Sequence, residues 1–188
     1  MESFIRIMKI AGVNFPVAAS FIQISNELDA IKVQQRLDAL EDPISSLHPD
    51  VPALSHVIYF ALVNNDSSML NFRDDVYKKY SKAFAILDSK GLIKKFNELG
   101  SSYPVEINIT DPCFILYLCA RFEETKKMDL LLEKVENCQV GQWLNGYEIQ
   151  KEILLPIVFI RAVFDVYQAN GFGICSKEPR ACSYFASA

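Results

Sequence analysis

Twice in this chain an apolar helical stretch runs into a polar-Gly stop and continues as an aliphatic or aromatic strand, and no other feature restricts the fold as much. The first instance is YSKAFAILDSKGLIKKFNELGSSYPVEINIT (80–110) and the second is FIRAVFDVYQANGFGICSKEPRACSYFAS (159–187). A glycine just past a helical run stops the helix by taking a left-handed conformation, which places Gly91 and Gly171 at helix ends. After the first stop, LIKKF reads as a strand and NELGSS as a turn. VEINIT alternates Val105, Ile107 and Ile109 with Glu106 and Asn108, the pattern of a half-buried strand. After the second stop, FGICS and ACSYFAS flank KEPR as another hairpin.

Helices precede each hairpin. ALSHVIYFALVNN (53–65) ends at a polar Asn-Asn-Asp-Ser-Ser turn. FRDDVYKKY gives a short second helix, and KAFAILDSK a third, with Ser81 as its N-cap. Then TDPCFILYLCARF opens a new helix, with Thr110 or Asp111 as cap and Pro112 in the first turn, where a missing N–H costs nothing. KKMDLLLEKVENC is a further helix, QVGQW a short strand and Asn145-Gly146 a turn. YEIQKEI is a short helix, Leu155-Pro156 a break, and IVFIRAVFDVYQA a long apolar helix. Three helices followed by a two-stranded hairpin is the order of a winged helix. On these stretches the chain resembles a tandem of two winged helix-turn-helix modules behind an N-terminal helical arm. The expected fold class is therefore mostly α with small β-hairpins (α+β). The boundaries are 1–46 for the amphipathic arm and linker, 47–110 for the first module and 111–188 for the second. EDPISSLHPDVP, with three prolines, supplies the linker.

The arm itself starts with FIRIMKIAGVNFPVAASFIQIS (4–25). Arg6, Lys9, Asn14, Pro16 and Gln23 interrupt it, leaving apolar runs too short for ~30 Å of hydrocarbon, and no secretory cleavage site follows. From Ser20 to Glu41, Ala30, Val33, Leu37, Leu40 and Ile44 recur at helical spacing beside a stripe of Ile24, Leu28 and Ile31. This describes a helix laid on the body of the fold or a dimer arm. A homo-oligomer is expected through this arm or through the apolar helix of the second module. Membrane association is the less favoured reading.

A chain of 188 residues with 51% hydrophobic and 22% charged residues is of globular type. A net charge of −4 excludes coating of nucleic acid by overall charge and leaves room for a local basic patch. Five cysteines without a C-x-x-C pair indicate reduced thiols and a cytoplasmic location, with pairing of Cys175 and Cys182 across the second hairpin left open. His48 and His56 offer no zinc-ligand spacing. The neighbours Asp74-Asp75 and Glu123-Glu124 point about 100° apart on a helix and do not converge on one substrate. Cys113 and Cys119 sit in an apolar helix as buried thiols, and His56, among Val57, Ile58 and Tyr59, reads as a core or boundary residue. With no G-x-S-x-G, phosphate-binding Gly loop or H-E-x-x-H, neither enzymatic activity nor a cofactor is expected.

The winged-helix resemblance implies a DNA-binding transcriptional regulator, acting as a dimer, whose third helix enters the major groove of double-stranded DNA while the hairpin touches phosphates. The donors at matching places are Lys78, Lys79, Lys82, Lys90, Lys94 and Lys95 in the first module. In the second they are Arg161 on the third helix and Lys177 and Arg180 on the hairpin. Asp74, Asp75, Asp88 and Glu98 oppose the lysines locally, and a solvated helix face would have the same composition. The third helix of the second module is apolar nearly all round, the mark of packing between modules or against a second chain. The other reading is a non-enzymatic protein-interaction or scaffolding module built on tandem winged helices. Trp143, the single tryptophan, is expected to cap the second core, and Tyr103 and Tyr184 to cover the bases of the hairpins or to meet phosphate.

Overall fold

Proline and glycine set most of the helix limits in the computed structural model, which describes residues 2–27, 43–122, 125–176 and 181–187. Helices α1 (Glu2–Ala11) and α2 (Pro16–Glu27) flank a 3-10 turn, and Pro16 opens α2. Next come α3 (Val51–Asn65), β1 (Met69–Leu70), α4 (Asp74–Lys79), α5 (Ser81–Ser89), β2 (Ile93–Phe96) and β3 (Glu106–Ile109). Helix α6 (Pro112–Phe122) leads to α7 (Thr125–Glu136), β4 (Trp143–Asn145), α8 (Gly146–Ile153), α9 (Ile157–Ala169), β5 (Gly173–Cys175) and β6 (Ser183–Ala186). Mostly helical with two small antiparallel sheets, the chain is α+β, and its order of elements repeats: α3-β1-α4-α5-β2-β3, then α7-β4-α8-α9-β5-β6. The sheets repeat as well, ordered β1-β3-β2 and β4-β6-β5.

Both helix-to-strand handovers are built alike. At Gly91 (φ +72°) the Gly91 N–H donates to Asp88 O at 2.9 Å and the Leu92 N–H to Leu87 O at 3.0 Å. At Gly171 (φ +79°) the Gly171 N–H donates to Gln168 O and the Phe172 N–H to Tyr167 O, both at 3.0 Å. Each is a Schellman motif, which satisfies the last carbonyls of the helix and turns the chain outward, with an apolar contact across the turn. Leu92 and Leu87 make that contact in the first, both buried, and Phe172 and Tyr167 in the second, at 5.8 Å between ring centroids.

Helix α6 lies between the repeats. Every residue from Cys113 to Cys119 is buried, because α1, α2, α3 and α9 pack around it. Helix α9 is buried on most sides too, against α6, α1, α8 and β5 of its own chain. Its all-round apolar character is thus satisfied internally, without a second chain. Two aspartates tie helix ends across the fold. The Asp111 carboxylate accepts from the Cys113 N–H at 2.8 Å, at the start of α6, and from the Val17 N–H at 3.0 Å, at the start of α2. Asp66, the left-handed residue closing α3 (φ 48°), accepts from the Val158 N–H at 2.9 Å, at the start of α9, and from Gln150 Nε2 at 3.2 Å. A carboxylate at a helix start meets orphan N–H groups and the positive dipole end.

Over its described residues the N-terminal arm lies on the body of the fold, one of the two placements expected for it. Phe4, Ile7, Met8, Val17 and Phe21 are buried, and α1 and α2 meet at 116° so that both lie on α6. Phe4 meets Phe21 edge-on at 5.0 Å, and Phe21 lies 6.0 Å from Tyr117 of α6. Most of the helix expected over 20–41 falls outside the described residues. No single described helix is long and apolar enough to cross a membrane. The bent pair α1–α2 matches a span in length and composition, yet its apolar side chains are spent on the core. Ser81 is the first residue of α5 rather than its cap, because α4 and α5 share Tyr80 as their junction.

Candidate functional site

The α4–α5 pair buries Tyr77, Tyr80, Ala83, Phe84 and Leu87, with the Tyr77 and Phe84 rings 5.0 Å apart, and this fixes which residues face outward. Lys78, Lys79, Lys82 and Lys90 are exposed. Asp74 and Asp75 in the first turn of α4 and Lys78 and Lys79 in its last both suit the helix dipole. Lys79 lies 4.8 Å from the Tyr80 ring, and its hydrogen bond to Tyr80 holds its ammonium above the ordinary 10.5. In β2, Lys94 is on the outer face, 5.5 Å from the Phe96 ring. Lys95, one residue on, is on the inner face and pairs with Asp88 at 3.3 Å. Lys78, Lys79, Lys82, Lys90 and Lys94 have no ion-pair partner among the described residues. The five are carried by α4, α5, the residue that follows α5, and β2 of the first unit, all exposed; Lys95 is engaged elsewhere.

Base reading is poorly provided for. The exposed side of α5 holds Ser81, Lys82, Ala85 and Ser89, and the Ser89 hydroxyl donates to Ile86 O at 2.8 Å. No Arg, Asn or Gln stands there to make the bidentate contacts that discriminate bases. The β2–β3 loop carries Glu98 as its one charged residue, and Leu99 at its tip is fully exposed. The arrangement suits contacts to a phosphate backbone, which position a protein without reading sequence.

The second unit is arranged differently. Arg161 is partly buried, hydrogen-bonded to the Cys182 thiol and one helical turn from Asp165. It lines a small cleft with Thr110 and Pro112, so it is not the outward donor that phosphate contact requires. The reason lies in its helix: with α9 buried on most sides, the only route for a guanidinium is the seam beside α6. Lys177 and Arg180 lie outside the described residues. Cys175 and Cys182 are both free thiols, pushed up by burial to about 12 and about 11, with Arg161 pulling Cys182 back. Tyr184 is a core residue whose hydroxyl donates to Phe172 O at 2.7 Å, and Tyr103 is partly buried at the base of the first hairpin.

Trp143 differs from expectation. It is 60% exposed and points away from the core, because Leu144 takes the inward position of β4. Across the outer face, Trp143 pairs with Phe185 and Phe185 with Ile174, an uninterrupted apolar row. The Trp143 and Phe185 rings are 5.0 Å apart, and Ile174 is 54% exposed. Spacing alone gave no signal for this row, since its three strands are only three or four residues long. His56 is exposed, its ring 4.6 Å from Phe60 and 5.2 Å from Phe122. Among the described residues no group of three His, Cys, Asp or Glu is placed to hold a metal ion.

Comparison with protein-family models, curated proteins and solved structures returned no match.

Proposed function

We propose that this is a DNA-binding protein of winged-helix build, in which the first unit alone meets the duplex, through phosphates. The element order α-β-α-α-β-β, with the first strand pairing to the third, supports the winged-helix reading of both units. The observation that carries the DNA reading is the set of five exposed lysines on α4, α5, the residue that follows α5, and β2 that make no ion pair among the described residues. About four phosphate contacts from such a set give weak, sequence-tolerant binding, in the range of roughly 10⁻⁴–10⁻⁶ M at physiological salt. A regulator working with that affinity needs either dimerisation or a protein partner to gain selectivity. The five cysteines, none of them in a disulfide, suit a reducing compartment such as the cytoplasm.

Fluorescence anisotropy with a labelled duplex tests this reading. Lys78→Glu/Lys82→Glu/Lys94→Glu should bind at least about tenfold more weakly at low salt, with an unchanged melting transition, since all three side chains are exposed. Full retention of affinity by the triple variant contradicts the assignment.

The second reading, a protein-interaction module, is favoured by the Trp143–Phe185–Ile174 row, because exposed aromatic clusters of this kind mark interaction surfaces. The two readings are compatible, since they use opposite units.

A further inference from the structure

Beside the exposed tryptophan, α7, β4 and α8 enclose a groove of about 600 Å³. One wall is a single face of α7, from Leu130 through Glu133 and Lys134 to Asn137, spaced at three and four residues. The other is the matching face of α8, where Glu148 and Glu152 stand outward above Ile149 and Ile153. Trp143 and Leu144 close one end. Two anchors in the lining are open to solvent: Leu130 is 48% exposed and Trp143 60%.

The charge of the groove is one-sided. Its lining holds three carboxylates, Glu133, Glu148 and Glu152, against one ammonium, Lys134. Lys134 is already taken, with Glu152 oxygens at 2.7 and 2.8 Å from its Nζ, clamping α7 to α8. That leaves Glu133 and Glu148 with no ion-pair or hydrogen-bond partner for their side chains among the described residues. An apolar floor under two unneutralised carboxylates repels phosphate and attracts cations that bring apolar surface with them.

We propose that this groove docks a basic amphipathic segment of a partner protein, its leucine-like residues seated between Leu130 and Trp143 and its lysines or arginines facing Glu133 and Glu148. The volume is that of a site holding a few side chains, a different kind of site from a flat contact between folded domains, which buries roughly 800 Å² per partner. A second copy offering its own lysine surface would form a head-to-tail contact, which runs on into filaments unless it closes into a ring. A single helix of a partner, presenting apolar residues at i, i+3, i+4 and i+7, matches the two walls. This docking is independent of DNA binding by the first unit.

Trp143, the chain's only tryptophan, reports occupancy directly. The probe is a synthetic peptide of about 14 residues built from Leu and Lys with leucines at i, i+3, i+4 and i+7, titrated into the full chain. The expected result is a saturable blue shift of the tryptophan emission, with no shift from the equivalent Leu/Glu peptide. Glu133→Lys/Glu148→Lys should weaken the Leu/Lys peptide about tenfold or more, and Glu133→Gln/Glu148→Gln by an intermediate factor. The glutamine pair keeps the test readable if charge reversal disturbs the fold. Undiminished binding by both variants, equal shifts with the two peptides, or no saturable shift overturns the proposal. So does a blue shift that grows with protein concentration in the absence of peptide, accompanied by sedimentation of larger species, which assigns the groove to a second copy.

Discussion

The outer faces of the two sheets sit at the same place in the same order of elements, yet they present different chemistry. Across the first sheet the outward row is Met69, Asn108 and Lys94; across the second it is Trp143, Phe185 and Ile174. The third helices diverge in the same sense. Helix α5 leaves Ser81, Lys82, Ala85 and Ser89 in water, whereas α9 buries nine residues, from Ile157 to Tyr167. Inward positions repeat because both units need a helix trio covered by a small sheet. Outward positions are free of that constraint, and there one unit carries exposed lysines and the other an apolar row.

The sharpest way to break this comparison is through the third helices. Phe164→Ala on α9, a side chain 1% exposed and stacked on Tyr184 at 5.3 Å, should cost about 3–5 kcal/mol in denaturant unfolding. Lys82→Ala on α5 should stay within about 0.5 kcal/mol. Similar costs at the two sites would remove the asymmetry. Next in size are the carboxylate ties. Asp111→Ala and Asp66→Ala should each cost about 1–2 kcal/mol, the scale of a lost helix cap. Both should leave unfolding as a single transition, because α6 and α9 join the units into one core. Separate transitions for the two units would contradict that. Smaller still, Gly91→Ala and Gly171→Ala should each cost about 1 kcal/mol, for forcing a side chain into left-handed backbone. Near equality of the two would confirm that the handovers are equivalent.

The smallest effect is one of pH. Burial raises the Asp111 carboxyl above its ordinary 3.8, against the pull of the Val17 and Cys113 N–H groups. A group with a raised folded-state value contributes stability that is complete below its unfolded value and declines as pH rises through the folded one. Asp111→Asn removes that titration. The stability advantage of the unsubstituted chain over this variant should therefore be larger near pH 3.5 than near pH 7, as read by urea midpoints at the two values.

Much of this fold was legible in the sequence. Gly91 and Gly171 announced their turns because each follows a helical apolar run and precedes strand-forming residues. Asp111-Pro112 announced the start of α6 by the same local logic. What escaped notice was non-local or too short to have a period. Strand β1 has two residues, Met69 and Leu70, and no alternation can be read from two. Trp143, expected to cap the second core, stands on the outer face instead, and in a three-residue strand a shift of one position exchanges the faces. The Asp66 tie to Val158 spans 92 positions and leaves no local trace. The lysine cluster was readable as exposed charge, while the inward turn of Arg161 depended on how α9 packs. Arg6 and Lys9 break the apolar runs of α1, which argues against a membrane span and leaves both a helix on the body of the fold and a dimer arm open. Those two residues lie on the sides of α1 turned away from α6, where they do not hinder burial of Phe4 and Ile7.

On the proposed reading, the surface for nucleic acid lies, among the described residues, on the first unit. The most direct measurement is the dependence of duplex affinity on salt, taken for the unaltered chain, for Lys78→Glu/Lys82→Glu/Lys94→Glu and for Trp143→Ala. The expected slope of log affinity against log salt is about −3 to −4 for the first and last of these and near zero for the triple variant. An unaltered slope in the triple variant, or a slope lost in Trp143→Ala, would contradict the claim.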